Sequence, residues 1–313
     1  ALSKDGSGTL RLSGNNSFSG DTTIHAGTLQ VTSTGRFGGG NYSGNIANSG
    51  AFIFGSNSSQ TLSGIISGTG SLTKNGSGIL SLSGNNSNTG SIIVQAGTMT
   101  LEHANALGIG GNISFTGGGV QYGTGVTTDL SSRIKNSTGA ILIDTNGNNI
   151  TFASVLDSTN TLGLTKNGTG TLSLLESNIY TGATTINGGT ITLGASDRIA
   201  NTSNINVAGG TFNLAGYNET VGSLSGAGNI ALGSGVLTTN STSNSTFSGM
   251  LSGTGGALTK AGTGRLSLSG NNTYTGTTTL RSGTIILDHA NALGSSGDIT
   301  FTGGGLQYGA GIS

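Results

Sequence analysis

The chain has 313 residues, of which 61 are Gly, none is Pro or Cys, 32% are hydrophobic and only 7% are charged. Its 11 basic and 11 acidic residues cancel and are scattered singly, which excludes a nucleic-acid partner, because phosphate recognition needs a concentrated basic surface. The composition departs from an ordinary helical or doubly wound enzyme, and the regular spacing of Leu, Ile, Val and Phe excludes a disordered chain.

The absence of Cys rules out disulfides, is compatible with reducing or oxidising surroundings, and suits a chain that crosses a membrane unfolded. No apolar run approaches the roughly 20 residues needed to span a bilayer, so no membrane insertion by this segment is expected. No basic and apolar leader opens the chain, and any export signal or anchor is expected outside these residues.

In chain order, the first element is LSKDGSGTLRLSGNNSFSGDTTIHAGTLQV at 2–31. A strand signature follows at Gly50 (GAFIF), then a second copy, LTKNGSGILSLSGNNSNTGSIIVQAGTMTL, at 72–101. Strands at Gly119 (GVQY) and Gly139 (GAILI) lead to a third copy, LTKNGTGTLSLLESNIYTGATTINGGTITL, at 164–193. GTFNL at Gly210 precedes the fourth, LTKAGTGRLSLSGNNTYTGTTTLRSGTIIL, at 258–287. The second and fourth copies are each followed by an echo (LEHANALGIGGNISFTGGGVQYGTGV from Leu101, LDHANALGSSGDITFTGGGLQYGAGI from Leu287) identical at 18 of 26 positions. The pieces 72–126 and 258–312 therefore belong to a larger repeat of 186 residues.

Within each copy a Gly-led strand signature occurs twice at a constant offset: Gly8 with Gly27, Gly78 with Gly97, Gly170 with Gly189, Gly264 with Gly283. Steps of about 19 to 23 residues are those of solenoid coils. Each strand alternates apolar and polar, as in Leu10, Arg11, Leu12, placing Leu inward and Arg outward. Gly and Asn between strands, as in SGNN at 13–16, 83–86 and 269–272, are expected to supply left-handed backbone at sharp corners. With strands about 4.8 Å apart, roughly fifteen coils would stack to about 70 Å. Parallel strands linked by helices are excluded, since no segment has the length and 3.6-residue period of a crossover helix. HANALG at 103–108 and 289–294 is at most one or two turns ended by Gly, expected as a bulge or short cap. The fold class is thus all-β: one continuous parallel β-solenoid over 1–313.

Candidate sites are few. Lys4, Lys74, Lys166 and Lys260 recur at one motif position, but successive copies, roughly four coils apart, lie about 20 Å from one another at strand spacing, too far for one anion. They are expected as solvated corner residues that discourage sideways association. Glu102 with His103, and Asp288 with His289, resemble a metal or proton-transfer pair. Strand neighbours face opposite ways and a third ligand is missing where zinc needs three or four, so surface or loop-packing His is expected. His25 is expected to be isolated. Phe18, Tyr180 and Tyr274 share a motif position, with Asn88 in the second copy. A carbohydrate platform is one reading. Packing against a corner beneath the TGxTT strand is favoured, with Asn88 a solvent-facing or replaced packing site. The dispersed carboxylates, without Asp-x-Asp, do not form the close pair that glycoside hydrolysis requires. Calcium nonapeptides and a phosphate loop are also missing. No catalytic, cofactor-binding or metal residue is assigned, and no cofactor is implied.

On these residues the four copies resemble the passenger-associated transport repeat, also described as the autotransporter-associated β-strand repeat, of general form LTKxGxGTLxLSGxNTYTGxTTIxxGTLxL. The resemblance takes in nearly the whole motif at all four places. It implies a right-handed parallel β-helix at the cell surface of a diderm bacterium, exported by type V secretion, in proteins that act as adhesins, aggregation factors or stalks. Beginning and stopping inside repeats, without leader, caps or C-terminal barrel, the sequence is expected to be part of a longer chain. The expected role is structural and adhesive rather than enzymatic, as a spacer or in adhesion, aggregation or fibre formation. Partners would be like chains, side by side or head to tail, or a host or neighbouring-cell surface or polysaccharide. A carbohydrate-binding module is the alternative, and a β-helical polysaccharide lyase or hydrolase a more distant one.

Overall fold

The computed structural model describes residues 1–295 and 297–312. Ser296, in the second echo, and Ser313, at the end of the expected solenoid, lie outside the described residues. The described strands pair in parallel, and no α-helix occurs among them. Among the described residues no helix is long and apolar enough to cross a membrane. The chain divides into two compact units, one formed by 1–148 with 159–162 and the other by 149–158 with 163–313.

In the first unit three faces recur coil after coil. The first contains Leu2–Lys4, Thr22–Ile24, Ile46–Asn48 and Ile66–Ser67. The second runs from Thr9–Leu12 through Thr28–Ser33, Ala51–Ser56, Ser71–Lys74 and Ile92–Val94 to Ile113–Phe115. The third includes Gln60–Leu62, Ile79–Leu82, Thr98–Leu101 and Gly119–Tyr122. The second unit repeats the plan, with Thr171–Leu174, Thr190–Leu193 and Thr211–Asn213 in one sheet and Val236–Thr239, Ala257–Lys260 and Thr278–Leu280 in another.

The constant offset of the Gly-led strands is one coil: Thr9 pairs with Thr28, Ile79 with Thr98, Thr171 with Thr190 and Arg265 with Thr284. Elsewhere the step leaves the expected range on both sides. Glu219 pairs with Leu237, one residue short of it, and Thr22 with Ile46, one residue beyond it. Strands fix the pairing register, whereas corners absorb insertions on the surface.

The interval between the first two copies is three coils and one further face. Leu2–Lys4 opens copy one on the first face, and Ser71–Lys74 brings copy two in on the second. Equivalent motif positions therefore do not form a row. The core is a set of inward columns such as Leu29, Phe52, Leu72, Ile92 and Ile113, which are at most 1% exposed. Apolar burial along such columns stabilises the stack by about 25 cal/mol per Å² removed from water.

The SGNN corners depart from expectation. Left-handed backbone occurs at Gly27, Gly97, Gly189 and Gly283, whereas Gly14, Gly84 and Gly270 and the Asn beside them are outside that region. At Gly84 and Gly270 the glycine serves close approach, a Cβ on Gly84 lying 2.2 Å from the carbonyl oxygen of Gly64 one coil earlier, whereas a Cβ on Gly14 would meet nothing within 4 Å.

Candidate functional site

The recurring lysines are not solvated. Lys4, Lys74, Lys166 and Lys260 are at most 6% exposed and occupy inward columns, Lys74 between Phe54 and Val94 and Lys166 beside Ile186. Strand alternation is the cause. In Leu-x-Lys the Lys lies two positions from an inward Leu and shares its face, so the motif itself carried the signal that the charge obscured.

Each ammonium fills a cradle of backbone carbonyls. The Nζ of Lys4 donates to Asp5 and Gly6 at 2.7 Å and to Ala26, one coil on, at 3.1 Å. Lys166 donates to Asn167 and Gly168 at 2.8 Å and to Gly188 at 3.1 Å. Lys74 reaches Gly76 and, at 3.1 Å, Ala96, and Lys260 reaches Gly262. The following Gly closes the cradle: a Cβ on Gly97, whose φ is +65°, would lie 2.7 Å from Lys74 Nζ. This explains why the motif couples a Lys near its start to a Gly near its end: the Lys joins two successive corners. Burial pulls the Lys74 ammonium down to about 8 and lowers Lys260 by the same cause. Lys74 also lies 5.8 Å from the centre of the Phe54 ring.

A second internal device is the later Asn of SGNN. Asn86 accepts the Ile66 amide at 2.7 Å through Oδ1 and donates from Nδ2 to Ala106 at 2.6 Å. Asn272 does the same with Leu251 and Ala292, at 2.7 and 2.6 Å, and so does Asn178, at the equivalent position of copy three where the sequence is LESN, with Leu156 and Arg198, at 2.8 and 3.0 Å. One buried amide thus brackets three successive coils where the ladder is interrupted, supplying the donor and acceptor that buried backbone requires. Glu219 plays an acceptor-only version, receiving the Arg198 and Ile199 amides at 2.9 and 3.0 Å. Its carboxyl is raised to about 7, chiefly by burial and partly offset by those amides.

The aromatic position packs inward as expected. Tyr180 and Tyr274 are buried and their hydroxyls lie 2.5 and 2.6 Å from Thr184 and Thr278 Oγ1. In copy one Phe18 lacks the hydroxyl, and Tyr42 from the next coil supplies it to Thr22 at 2.7 Å, with the Phe18 and Tyr42 rings edge to face at 5.7 Å. Copy two replaces the pair by Asn88 and Ile92. Asn88 is buried rather than solvent-facing, so of the two expectations only the replaced packing site holds.

His103 and His289 pack their loops: Nδ1 of each accepts the amide two residues on, at Asn105 and Asn291, at 3.0 Å. The HANALG segments are turns rather than helices and bury Ala106, Leu107 and Ala292. His25 is not isolated, since its Nδ1 lies 2.8 Å from Asp5 Oδ1 on the surface. Among the described residues no three His, Cys, Asp or Glu side chains cluster as metal ligands. The exterior instead carries amide pairs, Asn105 to Asn85 and Asn291 to Asn271 at 2.9 Å and Asn187 to Asn167 at 2.8 Å.

Comparison with known proteins agrees with this layout. The passenger-associated-transport-repeat family matches residues 2–31, 72–101, 164–193 and 258–287. The chain is similar to the adhesin BmaC autotransporter of Brucella suis biovar 1 (strain 1330), with 32% identity over 294 residues, covering 78% of this chain and 8% of that protein. The chain thus spans about 8% of the length of the curated relative it matches. No solved structure matches.

Proposed function

Because the chain is a passenger-associated-transport-repeat protein, with the motif at four positions, we propose that it forms an adhesive shaft segment of a bacterial cell-surface protein, without enzymatic activity of its own. The observation that carries this reading is the direction of the motif's reactive groups. Lysine ammonium and Asn amide turn inward to hold coil to coil and the Tyr hydroxyl turns inward onto a Thr of its own motif copy, leaving an exterior rich in uncharged amides and hydroxyls. Such an exterior suits many weak contacts with like chains or another cell surface, each hydrogen bond worth about 1 kcal/mol and multiplied by repetition. The similarity to part of an autotransporter adhesin supports the same reading and a location outside a Gram-negative cell. Beads coated with the purified chain should clump or bind bacterial and host cells more than beads coated with an unrelated β-solenoid. Equal dispersal and equal binding would reject the adhesive role.

A further inference from the structure

Corner length varies from coil to coil, and at one place in the second unit the variation makes a recess. The corner before Ile205–Val207 includes residues 201–204, the next, before Leu224–Ser225, is only Gly222 and Ser223, and the one after, before Ser245–Phe247, is residues 240–244. A two-residue corner between two longer ones leaves a notch of about 310 Å³, at the lower end of ligand-sized pockets. Gly222 keeps its floor open: a Cβ there would lie 2.7 Å from Asn204 Oδ1.

The lining consists of Asn, Ser and Thr with one Gly, and includes no ionisable, aromatic or aliphatic side chain. Several of these groups are held in place. Asn204 Oδ1 accepts the Ser223 amide and Asn244 Oδ1 the Arg265 amide, both at 2.9 Å, which leaves the two Nδ2 groups as oriented donors. Ser241 Oγ accepts the Ser243 amide at 3.0 Å, so its hydroxyl proton remains available. Asn240 and Thr242 are exposed on the same wall. Fixed donors beside free acceptors reduce the ordering cost of binding. An anion would meet no cation here and an apolar ligand no apolar wall, whereas vicinal hydroxyls, each both donor and acceptor, match the lining.

We propose that this notch binds a neutral polyhydroxylated ligand, the terminal one or two rings of an uncharged glycan. The proposal rests on the adhesive reading above and gives it one specific contact. Binding at a single notch is weak, and repetition along a longer surface protein would raise it by avidity.

The test is saturation-transfer NMR on the full chain with lactose, maltotriose, sialyllactose and oligogalacturonate at about 10 mM, a concentration that still partly fills a millimolar site. A neutral saccharide should give transfer, the acidic ones should give no more, and Asn240→Ala with Thr242→Ala should weaken binding about tenfold through two lost hydrogen bonds without altering the melting curve. No transfer to either neutral sugar, preference for the acidic ones, or undiminished binding by the double variant would each overturn the proposal. The bead assay on the same variant separates the two readings: clumping that persists with the notch disabled leaves the adhesive role standing without this contact.

Discussion

Replacing Lys74 by Met tests the carbonyl cradle, because Met keeps the unbranched stem in its column and removes the three donors. The carbonyls of Gly76 and Ala96 then lose their partner, and among the described residues no backbone amide donates to either. Two orphaned acceptors cost about 2–6 kcal/mol, and the relief of a buried charge offsets about half, so a net loss of about 2 kcal/mol is expected at pH 7.5. The pH dependence gives a sharper test. Lys74 titrates at about 8 in the fold against 10.5 in the open chain, so between these values the unfolded chain holds more protons and stability rises with pH. From pH 7.5 to 9.5 the rise is about 2 kcal/mol. The buried tyrosines, raised above 10, act in the opposite direction only at higher pH and cancel between wild type and variant. Guanidinium denaturation of both proteins at the two pH values measures the difference. The reasoning fails if Lys74→Met is as stable as wild type at pH 7.5, or if the gap between them does not widen at pH 9.5.

Further predictions concern the other internal groups. Asn86→Ala should cost about 2–4 kcal/mol by stranding the Ile66 amide and the Ala106 carbonyl, while Asn85→Ala, on the surface, should stay within about 0.5 kcal/mol; denaturant midpoints compare them. Gly97→Ala, with φ of +65° and a Cβ 2.4 Å from the Gly76 carbonyl oxygen, should lower stability by more than about 3 kcal/mol. Gly8→Ala, with nothing within 4 Å, should be neutral or slightly stabilising, and thermal melts of the two variants check the contrast. Glu219 titrates at about 7 in the fold and 4.5 in the open chain, so the folded form holds the extra proton and its stabilising contribution is lost as pH rises through 7. Between pH 5 and 8 that loss is about 2 kcal/mol, and Glu219→Gln should remove it; parallel denaturation curves that differ by a constant amount at all pH values would contradict this.

The coil is written into the residues themselves. Glycines at a constant offset and alternating Leu, Ile and Val specify parallel stacking, because a strand has a period of two and a coil must return to the same inward column. The aromatic position was legible for the same reason, since a ring beside TGxTT has an apolar corner to fill. Lys74 could have been placed by alternation, but a charge favours water unless a cradle receives it, and that cradle joins two coils whose contact no local pattern reveals. That Asn86 meets Ile66 and Ala106 is a product of the assembled stack, because it requires the lengths of the coils on either side. So is the placement of copies one and two on different faces, and the notch opened by a short corner at Gly222. Strand periodicity is local and readable, whereas which corners become neighbours depends on corner lengths accumulated over successive coils, and there side-chain chemistry acts on backbone groups a full coil away in sequence.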